Sequence, residues 1–325
     1  MAPGLQPMEA KLEPDLPHGQ LWTYEPKWDG FRCLVFRQGE DVLLQAKSGK
    51  PLTRYFPELV QRLRRLKPDR FIADGELLVK AGKGFAFDAL QMRLHPAESR
   101  IRRLSVDTPS TLMLFDLLAA PAGRDISAEP LATRREDLEA LVAAAAEPSL
   151  QLSPHTEDVA EACAWLAEGG PSVDGVMAKR LDGPYAPGER VMVKVKRIRT
   201  ADCVVGGFRY GEGTEQVASL LLGLYRDGLL HHVGFTSSLA GEDRPALTQR
   251  LEALIEPPGF TGKAPGGPSR WATARSAEWR PLRTELVVEV AFDQVTGERF
   301  RHGTRLMRWR PDKAPAQCGF EQLRG

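Results

Sequence analysis

The chain has 325 residues, with 44 basic and 43 acidic side chains, so its formal net charge is +1. Hydrophobic residues at 42% and charged residues at 27% fit a soluble globular protein of roughly two domains. No apolar run approaches the ~18–20 residues of a membrane span. The N-terminal stretch has neither the basic region nor the apolar run of a secretion signal. Cys33, Cys163, Cys203 and Cys318 are too scattered for a zinc ribbon or a disulfide framework. A cytoplasmic protein with free thiols is expected. The balanced charge excludes a wholly basic coating protein and leaves room for a local nucleic-acid patch.

Residues 1–20 are rich in proline and read as an irregular lead-in. LWTYEP, FRCLVFR and VLLQA, separated by charged turns, read as a strand, a loop and a hairpin, with the extended pattern running from Leu21 to Gln45. Leu59, Leu63 and Leu66 lie at helical spacing, predicting a helix over 57–66. Its other face carries Arg62, Arg64 and Arg65, a solvated face more readily than a phosphate contact. FIADGELLV is a strand interrupted by Asp74, Gly75 and Glu76. STLMLFDLL is a second apolar run, with Asp116 near its end. Residues 134–146 form an alanine-rich helix. Thr156 is placed to cap another helix running to Glu168, with Glu157 and Asp158 favourable in its first turn. PSVDGVMAKR and ERVMVKVKRIR are strands.

The pattern changes after Arg199. CVVGGFRY, SLLLGLYR, HHVGF and ELVVEVAF are short strands parted by glycine-bearing turns, with one helix over 243–255 and a long Pro/Gly loop at 257–271. This is the pattern of a small barrel.

Lys27 in EPKWDGFR is ambiguous alone, because a lysine beside an aspartate is commonly a surface ion pair. A lysine becomes a nucleophile when burial or nearby cations lower its pKa, and such a site needs groups that hold a triphosphate and a metal. The chain offers them. Arg32 follows Gly30. Lys47 sits in the basic turn AKSGKPLT. Glu76 and Asp174 are hard-oxygen donors suited to Mg²⁺ bound with phosphates. Lys194 and Lys196 alternate in VKVK and so share one strand face. Near the C-terminus, Arg299, Arg301, Arg305, Arg308, Arg310 and Lys313 stand against only Glu298 and Asp312 in sequence. With His302 and Trp309 interleaved, this is a patch suited to phosphate or a solvated charge run.

These pieces, in this order, resemble the covalent nucleotidyltransferases: DNA ligases, RNA ligases and mRNA capping enzymes. KWDG (27–30), KSGK (47–50), DGE (74–76), FDLL (115–118), DGVMAK (174–179), VKVK (193–196) and RPDK (310–313) look like motifs I, Ia, III, IIIa, IV, V and VI. SGKPLTRYFPEL, DGVMAKR and the RHGTRLMRWRPDK ending are most similar to bacterial ATP-dependent DNA ligases of the ligase C type and to the ligase domain of ligase D. The family pattern has arginine where Lys47 stands, and lysine cannot make the same forked contact. It often has glutamate where the shorter Asp174 stands.

The resemblance implies an α+β fold, with an adenylation domain of antiparallel sheets and flanking helices over 1–199 and an OB-fold barrel over 200–325. It implies an ATP- and Mg²⁺- (or Mn²⁺-) dependent enzyme that seals nicks in duplex DNA, in a repair setting, as a hinged monomer with no membrane partner. Lys27 would attack the α-phosphorus of ATP and carry AMP. Glu25 would lie near the adenine amine, and Phe115 would stack on the base. Arg32 would contact the ribose or the 5′-phosphate of the nick. Lys47 would take the place of the family's arginine in binding the nucleotide. Glu76 would bind the ribose or a metal, and Asp174 a metal. Lys194 and Lys196 would hold the α-phosphate, and Arg310 and Lys313 would orient the leaving pyrophosphate as the barrel closes. The KxDG core is shared with RNA ligases and GTP-dependent capping guanylyltransferases, so those remain competing readings. A non-catalytic single-strand-binding barrel is a third; its exposed aromatics are hard to find in a chain only 7% aromatic.

Overall fold

A strand that buries every residue along its length is the spine of the first part of the chain. It is Ser110–Ala120, STLMLFDLLAA. The computed structural model describes residues 3–82, 84–168, 170, 172–239, 241–266 and 278–323. The chain divides into two compact units, Met1–Arg197 and Ile198–Gly325.

In the first unit the elements run β1 (Glu9–Leu12), β2 (Trp22–Trp28), β3 (Phe31–Gln38), β4 (Asp41–Ala46), α1 (Pro57–Arg65), β5 (Arg70–Ala81), β6 (Gly84–Phe85), α2 (Phe87–Met92), α3 (Glu98–Asp107), β7 (Ser110–Ala120), β8 (Arg124–Asp125), α4 (Leu131–Ala145), β9 (Leu150–Leu152), α5 (Val159–Glu168), β10 (Val173–Arg180) and β11 (Arg190–Lys196). They make two sheets, one ordered β1-β11-β10-β2 and one built on β4-β3-β5-β7-β8. The second sheet shares its core with α1 and α4, through Leu59, Leu63, Leu138 and Leu141 against Leu77, Leu112 and Leu114. Proline opens α1 and arginines close it, in keeping with the helix dipole. Of those arginines, Arg64 donates to the Glu40 carbonyl (2.8 Å) and Arg62 stands 3.9 Å from Glu147.

Two ion pairs hold the helices in place, one tying α4 to β7 and the other tying the end of α2 to α1. The Arg134 Nε and Nη2 donate to Asp116 at 2.8 and 3.0 Å. Arg93 forks onto Glu58 at 2.8 Å for each contact. Removing one partner from such a pair strands a charge and costs ~3–5 kcal/mol.

Local patterns misplace several boundaries. The lead-in contains β1, four residues that run parallel to β11; a distant partner, not alternation, makes it a strand. Asp74, Gly75 and Glu76 do not interrupt β5. The strand is continuous, and its register with β7 shifts between Asp74 and Gly75. A Cβ at Gly75 would lie 2.6 Å from the Met113 carbonyl oxygen, so the close approach there requires glycine. Helix α3 escapes the apolar periodicity because Ile101 is its one buried residue. The i,i+4 pairs Glu98–Arg102 and Arg103–Asp107 support it instead. The α5 cap falls at Asp158, whose Oδ1 accepts from the Ala160 N–H (2.8 Å), while Thr156 accepts from Asp158.

The second unit contains β12 (Arg199–Tyr210), β13 (Val217–Arg226), β14 (Leu229–Ser238), α6 (Arg244–Glu252), β15 (Arg280–Pro281), β16 (Val287–Phe292), β17 (Val295–Thr296), β18 (Arg299–Phe300) and β19 (Thr304–Trp309). The path β13-β14-β19-β16-β12 returns to β13 through a β12–β13 pairing. The sheet is thus closed on itself, with a parallel β14–β19 step and a helix between β14 and β16, which is the OB-fold arrangement. Gly206 and Gly207 lie at a register shift in β12. Cβ atoms there would sit 2.6 Å from Phe260 and Trp279 respectively, so these glycines let the strand bend around the core. Asp243 caps α6 by accepting from the Ala246 N–H. The expected loop at 257–271 is irregular through 266; the rest of it lies outside the described residues. Among the described residues, no helix is long and apolar enough to cross a membrane.

His232 on β14 is buried, and its pKa is pushed down to about 3, first by burial and then by Arg299 and Arg209. The unfolded chain takes up this proton near pH 6.5, and the folded barrel refuses it until about pH 3. Stability from this group is therefore complete above pH 6.5 and lost as pH falls through that window, by up to ~1.4 kcal/mol per pH unit. We expect His232→Gln to flatten the fall in the barrel's thermal midpoint between pH 7 and pH 4. A mutant and parent that lose stability in parallel would show that other groups set the acid limit.

Candidate active site

Strand register assembles the site in the first unit. Across the β2–β10 pair, Lys27 faces Gly175 and Glu25 faces Met177. Across β10–β11, Lys196 faces Gly175 and Lys194 faces Met177. Paired residues point to the same side of a sheet, so Glu25, Lys27, Lys194 and Lys196 share one face. Asp174 reaches it through an irregularity. The β2–β10 register slips between Val173 and Gly175, and a bulge of this kind re-aims a side chain. The Lys27 ammonium forms an ion pair with Asp174 Oδ2. The other oxygen, Oδ1, is buried and has no hydrogen-bond partner among the described residues. Gly175 permits the close packing: a Cβ there would lie 2.1 Å from the Val195 carbonyl oxygen.

The second sheet supplies the opposing residues. Arg32 on β3 lies directly across from Glu76 on β5, yet its Nε and Nη2 donate to Asp74, both at 2.6 Å. Burial works against the Arg32 charge, but the Asp74 carboxylate more than offsets it and holds the pKa above the ordinary value. The Tyr185 hydroxyl also donates to Asp74 (2.6 Å); burial first, and then Asp74, raises the phenol pKa. Burial lifts Glu76 to about 8, opposed by Arg32 and Lys27 and reinforced by Asp74 and Asp29.

Phe115 carries two cations near its ring, the Arg32 guanidinium at 4.6 Å and Lys179 Nζ at 4.4 Å from the centroid. Lys179 also donates to Glu25 (2.7 Å) and to the Phe115 carbonyl (3.3 Å). Glu25, Lys27, Arg32, Glu76, Phe115 and Lys179, with Met177 and Met192, line a narrow pocket of about 110 Å³. Lys47 is not in that lining. It borders an adjoining hollow of about 740 Å³ together with Arg32, Glu76 and Lys50, and pairs with Glu9 at 3.1 Å. The Lys194 pKa is lowered by burial and then by Lys27, Lys47 and Lys196, so these lysines feel one another.

Arg310 and Lys313 belong to the second unit. Both contact Asp202: Arg310 Nη1 at 3.0 Å and Lys313 Nζ at 2.6 Å. Arg310 also pairs with Asp312 (2.9 Å), which lowers the Asp312 pKa to about 2. Arg308 meets Glu289 at 2.6 Å, and His302 meets Asp293 at 3.2 Å. The stretch that is basic in sequence therefore receives acids from other strands.

Asp74, Lys179, Tyr185, Met177, Met192 and Asp202 carry no role expected from the sequence alone. Asp74 and Lys179 stand inside the motif strings DGE and DGVMAK, so a signal existed. Tyr185 and Asp202 carry no local mark, since only the fold brings them to their partners.

Family comparison agrees with this architecture. The model of the ATP dependent DNA ligase domain matches residues 7–196, and that of the ATP dependent DNA ligase C terminal region matches 213–313. The chain is 45% identical to DNA ligase C1 of Mycolicibacterium smegmatis, over 99% of this chain and 94% of that protein. It is 41% identical to DNA ligase C of Mycobacterium tuberculosis, with the same coverage of 99% and 94%. A solved structure from a study of DNA binding by Lig E DNA ligases has a TM-score of 0.57 at 17% identity. It covers 95% of this chain and 100% of its own, and it shares the fold. With both family models matched in order and such relatives aligned over almost the whole length, this chain belongs to the ATP-dependent DNA ligase family.

Proposed function

We propose that the chain seals nicks in duplex DNA in three steps, with Lys27 as the covalent carrier of AMP. The observation that carries this reading is the pairing of Lys27 with Asp174 among like-charged lysines. Such a cluster is an anion site with a nucleophile at its centre. In the first step Lys27 Nζ gives up a proton to solvent and forms a bond to the α-phosphorus of ATP, the bond to the β-phosphate oxygen breaks, and pyrophosphate leaves. In the second, a 5′-phosphate oxygen of the nick displaces the lysine nitrogen from that phosphorus. In the third, the 3′-hydroxyl attacks the 5′-phosphorus, loses its proton and expels AMP. Positioning and charge neutralisation supply most of the acceleration in such transfers.

The pocket supports a division of labour. Phe115 offers its ring to adenine, and Glu25, oriented by Lys179, offers an acceptor to the exocyclic amine. Lys194 and Lys196 take the α-phosphate. Arg32 contacts the ribose or the 5′-phosphate, and Lys47, on the adjoining hollow, supplements it with a single ammonium. Arg310 and Lys313 orient the pyrophosphate, for which they exchange the Asp202 carboxylate. The orphaned Asp174 Oδ1 and the Glu76 carboxyl are hard oxygen donors that fit Mg²⁺ or Mn²⁺. Such an ion, when bound, neutralises phosphate charge. The DNA is engaged chiefly through its backbone, because nick sealing requires no base sequence. Binding therefore weakens as salt rises.

Lys27→Ala is expected to abolish both self-labelling by α-labelled ATP and all joining, after bound AMP has been stripped with pyrophosphate. Label retained by the mutant, or label taken from GTP in preference to ATP, would overturn the reading and favour a guanylyltransferase. We further expect Arg310→Ala and Lys313→Ala each to slow self-adenylation by at least about tenfold, ~1.4 kcal/mol of barrier. Sealing of a pre-adenylated nick should stay near the parent rate. Equal losses in the two assays would remove the pyrophosphate role.

A further inference from the structure

Behind the pocket lies a buried polar chain that the three steps do not use. Asp74 is fully buried and Tyr185 is 4% exposed. Asp74 accepts the Arg32 fork on both oxygens, and Oδ2 also accepts from the Tyr185 hydroxyl at 2.6 Å. That hydroxyl in turn accepts from the Met8 N–H at 3.1 Å. The phenol oxygen is thus held from one side by backbone and holds the carboxylate from the other. Arg32 Nη2 also reaches the Met8 carbonyl at 3.3 Å. With Nε and Nη2 engaged, Nη1 is the guanidinium nitrogen with no hydrogen bond among the described residues, and Arg32 lines the pocket.

A competing arrangement lies close by. Glu76 is directly opposite Arg32 across the β3–β5 pair, and a second carboxylate there would take the same fork if Asp74 turned away. A carboxylate plane held by a fork at one edge and a hydroxyl on Oδ2 has little freedom to turn. We propose that Tyr185 is a positioning residue for ligation: acting through Asp74, it keeps Arg32 off Glu76 and presents Nη1 to a substrate phosphate or ribose. This rests on the role proposed above for Arg32. Tyr185 lies in the β10–β11 loop, so the device ties the strand pair carrying Asp174 and Lys194 to the sheet carrying Arg32 and Glu76.

The test compares Tyr185→Phe, Asp74→Asn, Arg32→Ala and the Tyr185→Phe/Arg32→Ala double variant of the full chain. Single-turnover self-adenylation, sealing of a pre-adenylated nick, the KM for ATP and thermal midpoints would be measured. Tyr185→Phe should slow whichever step Arg32→Ala slows, on the order of tenfold, with the ATP KM near the parent value. The double variant should be no slower than Arg32→Ala, because both changes remove one interaction. Asp74→Asn should impair the same step, and it carries the test if Tyr185→Phe does not fold. Parent rates in a folded Tyr185→Phe or Asp74→Asn, or losses that multiply fully in the double variant, would overturn the proposal. Parent rates in Arg32→Ala would instead overturn the Arg32 role, and the proposal with it.

Discussion

Lys27, Lys194, Lys196 and Arg32 crowd the site, with Lys47 on the adjoining hollow near enough to act on Lys194, and the fold must hold them there against their own repulsion. Like charges crowded together disfavour one another, while Asp74 favours the Arg32 charge. The depressed Lys194 pKa records that conflict. The protein resolves it unevenly. Asp74 is wholly buried and saturated by Arg32 and Tyr185, so it acts as framework. Asp174 spends one oxygen on Lys27 and leaves the other without a partner. Burial lifts the Glu76 carboxyl to about 8 against the pull of Arg32 and Lys27. On the function proposed above, a bound nucleotide would relieve the crowding of cations.

Backbone irregularities make this crowding possible. A regular antiparallel pair would send Asp174 to the face opposite Lys27, and the register slip brings it round. Glycines stand where the backbones come too close for a side chain. At Gly30 a Cβ would meet the Leu77 carbonyl oxygen at 2.2 Å, and at Gly175 the Val195 oxygen at 2.1 Å. Glycine thus follows Lys27 and Asp174 in KWDG and DGVMAK for a packing reason, beside the chemistry of its neighbours. The sheet in turn is braced by Arg134–Asp116, and the helices against it by Arg93–Glu58. Such pairs are weak contributors to net stability but costly to break.

Much of this was legible in the sequence where the cause is local. Strand-type residues between charged turns marked β3 and β4, alternation marked β11, and leucine spacing marked α1. The order of short charged motifs identified the family before any geometry. What was hidden depends on distant partners. The strand character of Glu9–Leu12 comes from β11, some 180 positions away in chain order. The continuity of β5 through DGE depends on Arg32 neutralising Asp74, since a carboxylate buried there alone would be expelled. Tyr185 sits in a loop that carries neither period nor motif, and nothing in DGPYAPGER shows that its hydroxyl reaches Asp74.

The C-terminal stretch shows why counting charge along a chain misjudges a surface. Within 298–313 the bases far outnumber the acids, yet Asp202 and Glu289 arrive on β12 and β16, directly paired in register. They meet Arg310, Lys313 and Arg308. The C-terminal half of the patch, Arg308, Arg310 and Lys313, is therefore a set of ion pairs, not a bare positive field. A phosphate that binds there must compete with carboxylates already in place, so the gain is a difference between two anions. Trading one ion pair for another makes such an exchange readily reversible, as the pyrophosphate role proposed for Arg310 and Lys313 requires.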